Sequence, residues 1–192
     1  MRFIALLCLA LLCACGGGGG DQTPVPVAIY GDSLSSGYLA DTRLSPTPVE
    51  RLTEYAGGAI KAVDYSVSGL TASETSIKGG EPVVLLRLGY ADAIIGVPEE
   101  LHQQGMERLV TQLKQDGKRV VIAGVLMAPD PYDTAAQRND AIQRKIAQRN
   151  GLQFIDVRSL GRVTMGDPVH PDRAGSDRVS LFIAQELVRG MK

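Results

Sequence analysis

The chain has 192 residues, with 20 Lys and Arg against 21 Asp and Glu, and a formal net charge of −1. Both signs are mixed along its length with no basic stripe, which excludes the electrostatic footprint of a nucleic-acid-binding protein. Two histidines, and three cysteines that all fall at or before Cys15, leave too few ligands for a typical zinc site and no disulfide in the body of the chain.

Met1-Arg2 is followed by an apolar run from Phe3 to Ala14, which reads as a signal peptide over residues 1–14, too short to span a bilayer. A buried N-terminal helix is the competing reading, and the run Gly16 to Gly20 that follows speaks against it. Leu12-Cys13-Ala14-Cys15 resembles a bacterial lipobox, in which Cys15 becomes the lipidated first residue. Cys13 is a poor rival, because the bulky Leu12 would precede it. Residues 15–26 then form a flexible tether, and Gly16 in place of an aspartate points toward outer-membrane sorting, by resemblance to other lipoproteins. Residues 27–192 are the size of one domain, enough to bury roughly 70% of the surface its unfolded chain exposes.

The apolar run Val27–Tyr30 predicts a first strand buried on both faces. Pro48–Ala56 predicts a helix ended by Gly57-Gly58, and strands two and three are predicted over Ala62–Val67 and Val83–Leu88. Pro98 opens a longer helix, proline being favoured at the first helical position. It carries Met106, Leu109, Val110 and Leu113 at i, i+3, i+4 and i+7, and stops at Gly117. Strand four is Arg119–Val125, a helix covers Thr134–Asn150 with Gly151 past its end, and strand five is Phe154–Val157. Val179, Phe182, Ile183 and Leu187 mark a final amphipathic helix. Strands alternating with helices predict an α/β fold, a single three-layer α/β/α domain around a five-stranded parallel sheet. Ligands of such sheets bind at the carboxyl ends of the strands. The loops after strands one, two, three and five should therefore converge.

Two short motifs lie on those loops. Gly31-Asp32-Ser33-Leu34-Ser35 places a serine just past strand one, and Asp167-Pro168-Val169-His170 places a histidine three residues after an aspartate. A serine hydroxyl is a weak nucleophile until an imidazole takes its proton, and the imidazole needs a carboxylate to fix its tautomer. His102, in the polar start of its helix, reads as a solvated surface residue, which leaves His170 as the candidate base and Asp167 as its orienter. The Gly-x-Ser-x-Gly elbow of α/β-hydrolases is absent, since Ser35 stands where the second glycine would be. Asp32, Asp92 and Asp130 read as loop-capping carboxylates rather than metal ligands, and no metal or cofactor is expected.

Gly31-Asp32-Ser33-Leu34, Ser68-Gly69 and Asp167-x-x-His170 occur in the order of the GDSL, or SGNH, hydrolase blocks, and the chain resembles that family from Val27 onward. The longer string Gly31-Asp32-Ser33-Leu34-Ser35-x-Gly37-Tyr38 is most similar to its bacterial arylesterase and thioesterase/lysophospholipase branch. The resemblance implies a flavodoxin-like sheet, Ser33, His170 and Asp167 as catalytic residues, and the N–H groups of Ser33 and Gly69 as oxyanion donors. On residues alone, Ser68-Gly69 reads equally as a turn after strand two. One departure stands out. The family's Gly-x-Asn-Asp block is Gly89-Tyr90-Ala91-Asp92 here, so the asparagine amide that would donate to the oxyanion is missing. Loss of one such donor costs about 10²–10³ in rate. Tyr90 and Asn139 are candidate substitutes, each otherwise an ordinary surface polar residue.

The expectation is a serine esterase acting on short-chain or aryl esters, lysophospholipase- or thioesterase-like in kind, with an acyl-ester substrate, the membrane through Cys15 and no nucleic acid as its partners. It would sit in the bacterial cell envelope, lipid-anchored, on the outer membrane. Two alternatives stand beside it. One is O-deacetylation of an envelope polysaccharide or peptidoglycan. The absence of tryptophan weighs against an aromatic sugar platform, although Tyr38, Tyr55, Tyr90 and Tyr132 are available. The other is a non-catalytic envelope lipoprotein, motivated by Ala91.

Overall fold

The computed structural model describes residues 23–192. Cys15 and the signal and lipobox residues lie outside the described residues. In chain order the elements are β1 (Val25–Gly31), α1 (Ser33–Ser36), β2 (Tyr38–Leu39), β3 (Thr42–Arg43), α2 (Pro48–Tyr55) and β4 (Ile60–Asp64). β5 (Val83–Arg87), α3 (Tyr90–Ile95), α4 (Glu99–Gln115), β6 (Arg119–Ala123) and α5 (Asp133–Asn150) follow, then β7 (Gln153–Ile155), a 3-10 turn (Val157–Leu160) and α6 (Arg173–Met191). The five predicted strands and the four predicted helices are all present. The single-turn α1, the β2–β3 hairpin and α3 are additions, each too short to show a hydrophobic period.

β4, β1, β5, β6 and β7 form one parallel sheet in that order. Alternate residues of each strand feed two cores. Val27, Ile29, Val83, Leu85 and Val121 face α2 and α6, where Leu52, Val179, Ile183 and Leu187 are buried. Ala28, Tyr30, Val84, Leu86 and Ile122 face α4 and α5 through Met106, Leu109, Leu113 and Ile146. Helices on both sheet faces explain why β5 is apolar and buried at successive positions instead of alternating.

Helix starts follow local chemistry. Thr47 and Glu50 form a reciprocal capping box at α2, with Pro48 in its first turn, an arrangement whose Thr side chain is worth about 1 kcal/mol. Pro98 is the residue before α4 rather than its first member. β1 begins two residues before the predicted run, pairing Val25 and Pro26 with Ile60 and Lys61. From β1 the chain moves to one neighbour, β4, and then to the other, β5. The crevice at the carboxyl ends of β1 and β5 is thus the topological switch point. Ser33 and Gly89 lie directly past those two ends.

Candidate active site

Ser33 opens α1 straight after β1. Asp32 is its N-cap, accepting the Leu34 N–H at 3.0 Å through Oδ1 and the Ala91 N–H at 3.0 Å through Oδ2. One buried carboxylate therefore ties the serine turn to the loop after β5. Burial pushes the Asp32 carboxyl above its usual range, against the Ala91 N–H and the Arg87 charge. Arg87, from the last position of β5, lies buried beneath the turn and donates through Nη1 to Leu34 O at 3.1 Å. Burial lowers its guanidinium to about 10, opposed by attraction to Asp32. Sequence reading passed over Arg87, although an arginine ending a run of four apolar residues was the available signal.

Asp167 and His170 are in direct contact, with His170 Nδ1 2.8 Å from Asp167 Oδ2. That carboxylate also accepts the N–H groups of Val169 at 2.8 Å and His170 at 2.7 Å on Oδ1, and of Ala40 at 3.0 Å on Oδ2. Partial burial disfavours its charge, but the Val169 N–H, the imidazole and the Ala40 and His170 N–H groups outweigh this and hold the carboxyl at about 2. An ionised partner at Nδ1 fixes the proton there and leaves Nε2 with a free lone pair. The Tyr38 ring and the imidazole meet in a T-shaped arrangement with centroids 5.3 Å apart, and the Tyr90 hydroxyl donates to Val169 O at 2.6 Å. The Asp167–His170 loop is thus bound to the segment that follows Ser33 and to the loop that binds Asp32. No hydrogen bond joins Ser33 to His170 directly among the described residues.

Gly69 sits at the third position of a turn closed by Leu70 N–H on Val67 O at 3.0 Å. Its φ of +77° is what requires glycine, since a Cβ there would meet no protein atom within 4 Å.

Three expectations for single residues are overturned. His102 is not solvated: it is 0% exposed, its Nδ1 2.9 Å from Asp92 Oδ1 and its Nε2 3.3 Å from Gln143 Nε2. The apolar stripe of α4 extends one turn further back than Met106, and position 102 lies on it. Asp92 is accordingly a buried partner of His102 as well as an acceptor for the loop N–H of Ala72. Tyr90 and Asn139 are not surface residues either, at 2% exposure each. The Tyr90 hydroxyl is committed to Val169 O, and Asn139 Nδ2 donates to Gly89 O at 2.9 Å. Of the three aspartates only Asp32 caps a helix, and Asp130 is exposed with Arg162 3.8 Å away.

The fold and the order of these blocks define an ester hydrolase on a parallel five-stranded sheet. The chain belongs to the GDSL-like lipase/acylhydrolase family, whose model matches residues 29–178. An arylesterase of Vibrio mimicus is 23% identical over 181 residues, covering 88% of this chain and 90% of its own. Among solved structures, the aryl esterase of M. smegmatis has a TM-score of 0.73 at 17% identity, covering 87% of this chain and 99% of that one. Est24, a carbohydrate acetylesterase from Sinorhizobium meliloti, has a TM-score of 0.70 at 16% identity, covering 85% and 98%. These likenesses are to the fold.

Proposed function

We propose that this chain hydrolyses acyl esters through Ser33, His170 and Asp167. The observation that carries the reading is the His170 Nδ1 to Asp167 Oδ2 contact of 2.8 Å on a carboxylate held by three backbone N–H groups. Ser33 Oγ attacks the acyl carbon while His170 Nε2 takes its proton, and the carbonyl oxygen becomes an oxyanion held by the Ser33 and Gly69 N–H groups. Collapse breaks the bond to the alcohol oxygen, which leaves with the proton from Nε2. Water then attacks the acyl-serine, His170 taking and returning one proton, and the carboxylic acid departs. Asp167 stays ionised throughout and stabilises the imidazolium.

Short-chain or aryl esters are the proposed substrates, a reading supported by the arylesterase relative. O-acetylated envelope polysaccharide is the second reading. It is favoured by the exposed Tyr38 ring beside His170, which offers a sugar a face to stack on, and by the fold likeness to a carbohydrate acetylesterase. The proposed location is the cell envelope, with Cys15 as the lipid anchor, and Cys15→Ser should release the protein from membranes.

The test is hydrolysis of p-nitrophenyl acetate, butyrate and octanoate by the wild type and by Ser33→Ala. Turnover that vanishes in Ser33→Ala supports the assignment, and a fall from acetate to octanoate supports short-chain specificity. Full activity in Ser33→Ala sinks it. A folded wild type that neither turns over these esters nor labels with a fluorophosphonate is a non-catalytic protein.

A further inference from the structure

His102 and Asp92 form a second imidazole–carboxylate pair, fully buried, with no part in the chemistry proposed above. Asp92 does more than accept from His102. Both its oxygens stand 3.3 Å from the Ala72 N–H, three residues beyond Gly69. A buried carboxylate needs every donor within reach, and here the donors are few and specific. The shared Ala72 bond is long, so the 2.9 Å contact with His102 sets which way the carboxylate faces.

The same helix holds this loop at two further points. A Cβ on Gly105 would lie 2.5 Å from the Ala72 carbonyl carbon, so α4 can approach the loop backbone there only as glycine. Arg108 Nη2 donates to the carbonyls of Ala72 and Ser73 at 3.3 Å and of Thr75 at 2.7 Å. His102, Gly105 and Arg108 follow one another at three-residue spacing on α4. On the other side, the His102 ring lies under Gly89, where a Cβ would be 2.8 Å from its Cε1. Gln143 and Asn139 of α5 anchor the carbonyls of Leu88 and Gly89 at 2.7 and 2.9 Å. One buried polar cluster therefore binds both the Gly69 loop and the Gly89–Asp92 loop.

Resting on the Ser33 reading, we propose that His102 is a positioning residue for the oxyanion site, acting through Asp92 and the Ala72 N–H to hold the Gly69 turn in register with Ser33. Ala91 carries no side-chain donor, so the proposed donors are backbone N–H groups alone. A backbone donor cannot be re-aimed by a rotamer, and its aim is the position of its loop. A misplacement of about 1 Å can cost on the order of 10² in rate.

The test uses the full-length chain, with His102→Leu, His102→Asn and Arg108→Met compared with wild type in p-nitrophenyl acetate hydrolysis. Inhibition by an alkyl trifluoromethyl ketone, whose tetrahedral serine adduct places an oxyanion in the site, is measured alongside. His102→Leu should lower kcat about tenfold or more, with KM within about twofold, and raise the ketone's inhibition constant by the same factor. His102→Asn keeps a donor toward Asp92 and should stay within about threefold of wild type. Arg108→Met should shift kcat and the inhibition constant together in the same direction as His102→Leu. A purely structural role would lower the melting temperature without linking these two quantities. Wild-type kcat and ketone affinity in folded His102→Leu overturn the proposal. If that variant does not fold, unchanged values in Arg108→Met overturn it. Undiminished turnover in Ser33→Ala is a different result, since it removes the esterase assignment itself.

Discussion

Ala40 donates its N–H to Asp167 Oδ2 at 3.0 Å, across 127 positions of sequence, from a backbone with φ of +40°. Asp41 follows at +62°, so the two residues joining β2 to β3 are both left-handed. That combination is the demand of a tight type I′ hairpin, which glycine and asparagine meet far more easily than alanine. The segment leaving Ser33 thus reaches the Asp167–His170 pair by means of a strained turn.

Ala40→Gly keeps the N–H and removes the strain at φ +40°, which is about 1–2 kcal/mol for a residue with a Cβ. Part of that gain is offset by the greater freedom of glycine in the unfolded chain. The net expectation is a stabilisation of about 0.5–1 kcal/mol in urea unfolding, with kcat/KM within about threefold of wild type. A destabilised variant would show that the conformation at Ala40 is not strained.

Asp167 provides a pH test of the hydrogen bonds that hold its loop. Its folded value of about 2 lies below the unfolded value of ~3.9. A depressed carboxyl contributes stability that is fully present above the unfolded value and is lost as pH falls through the folded one. Asp167→Asn should therefore be less stable than wild type at pH 7, by about 1–2 kcal/mol after allowance for solvent screening. That gap should close between about pH 4 and pH 2. Urea titrations at pH 7, 4 and 2.5 measure it, and a gap that widens toward acid contradicts the assignment.

Arg87 and Asp32 are buried charges that offset each other. Arg87→Met removes the buried charge that opposes the desolvation of Asp32 and the donor to Leu34 O, a loss of about 1.5–3 kcal/mol. Because burial already raises the Asp32 carboxyl, protonation relieves the variant as pH falls. The destabilisation should thus be smaller at pH 5 than at pH 7 in thermal or urea melts. Equal losses at both values would mean that Arg87 acts through packing.

Ala91→Asn restores the amide that the family pattern carries at this position. If no other group serves the oxyanion there, kcat for p-nitrophenyl acetate should rise by up to about 10². Ala91 is 4% exposed, so the larger side chain should also cost about 1–3 kcal/mol in overpacking. A stable variant with unchanged kcat would show that the position has lost its part in the reaction.

Several elements were legible because their signals are local. The apolar runs at Val27, Val83 and Arg119 are as long as buried strands need, and Gly117 and Gly151 end helices where the letters place them. Asp167 and His170 could be paired because they stand three positions apart and one turn carries both. The β2–β3 hairpin was missed because its strands are two residues each and its turn lacks the expected glycine. His102 was misjudged because a polar neighbourhood in sequence says little about the one face of a helix on which a side chain sits.

By itself the sequence determined the strand and helix order, the Ser33 turn past β1 and the Asp167–His170 pair, all set by periodicity, turn chemistry and short spacing. Only the tertiary structure decided that Asp32 joins the turn to Ala91, that Ala40 reaches Asp167, and that His102 joins Asp92 beneath Gly89. Those contacts link residues up to 127 positions apart. They exist because parallel strands bring the ends of distant segments to one edge, where each buried polar group must find a partner.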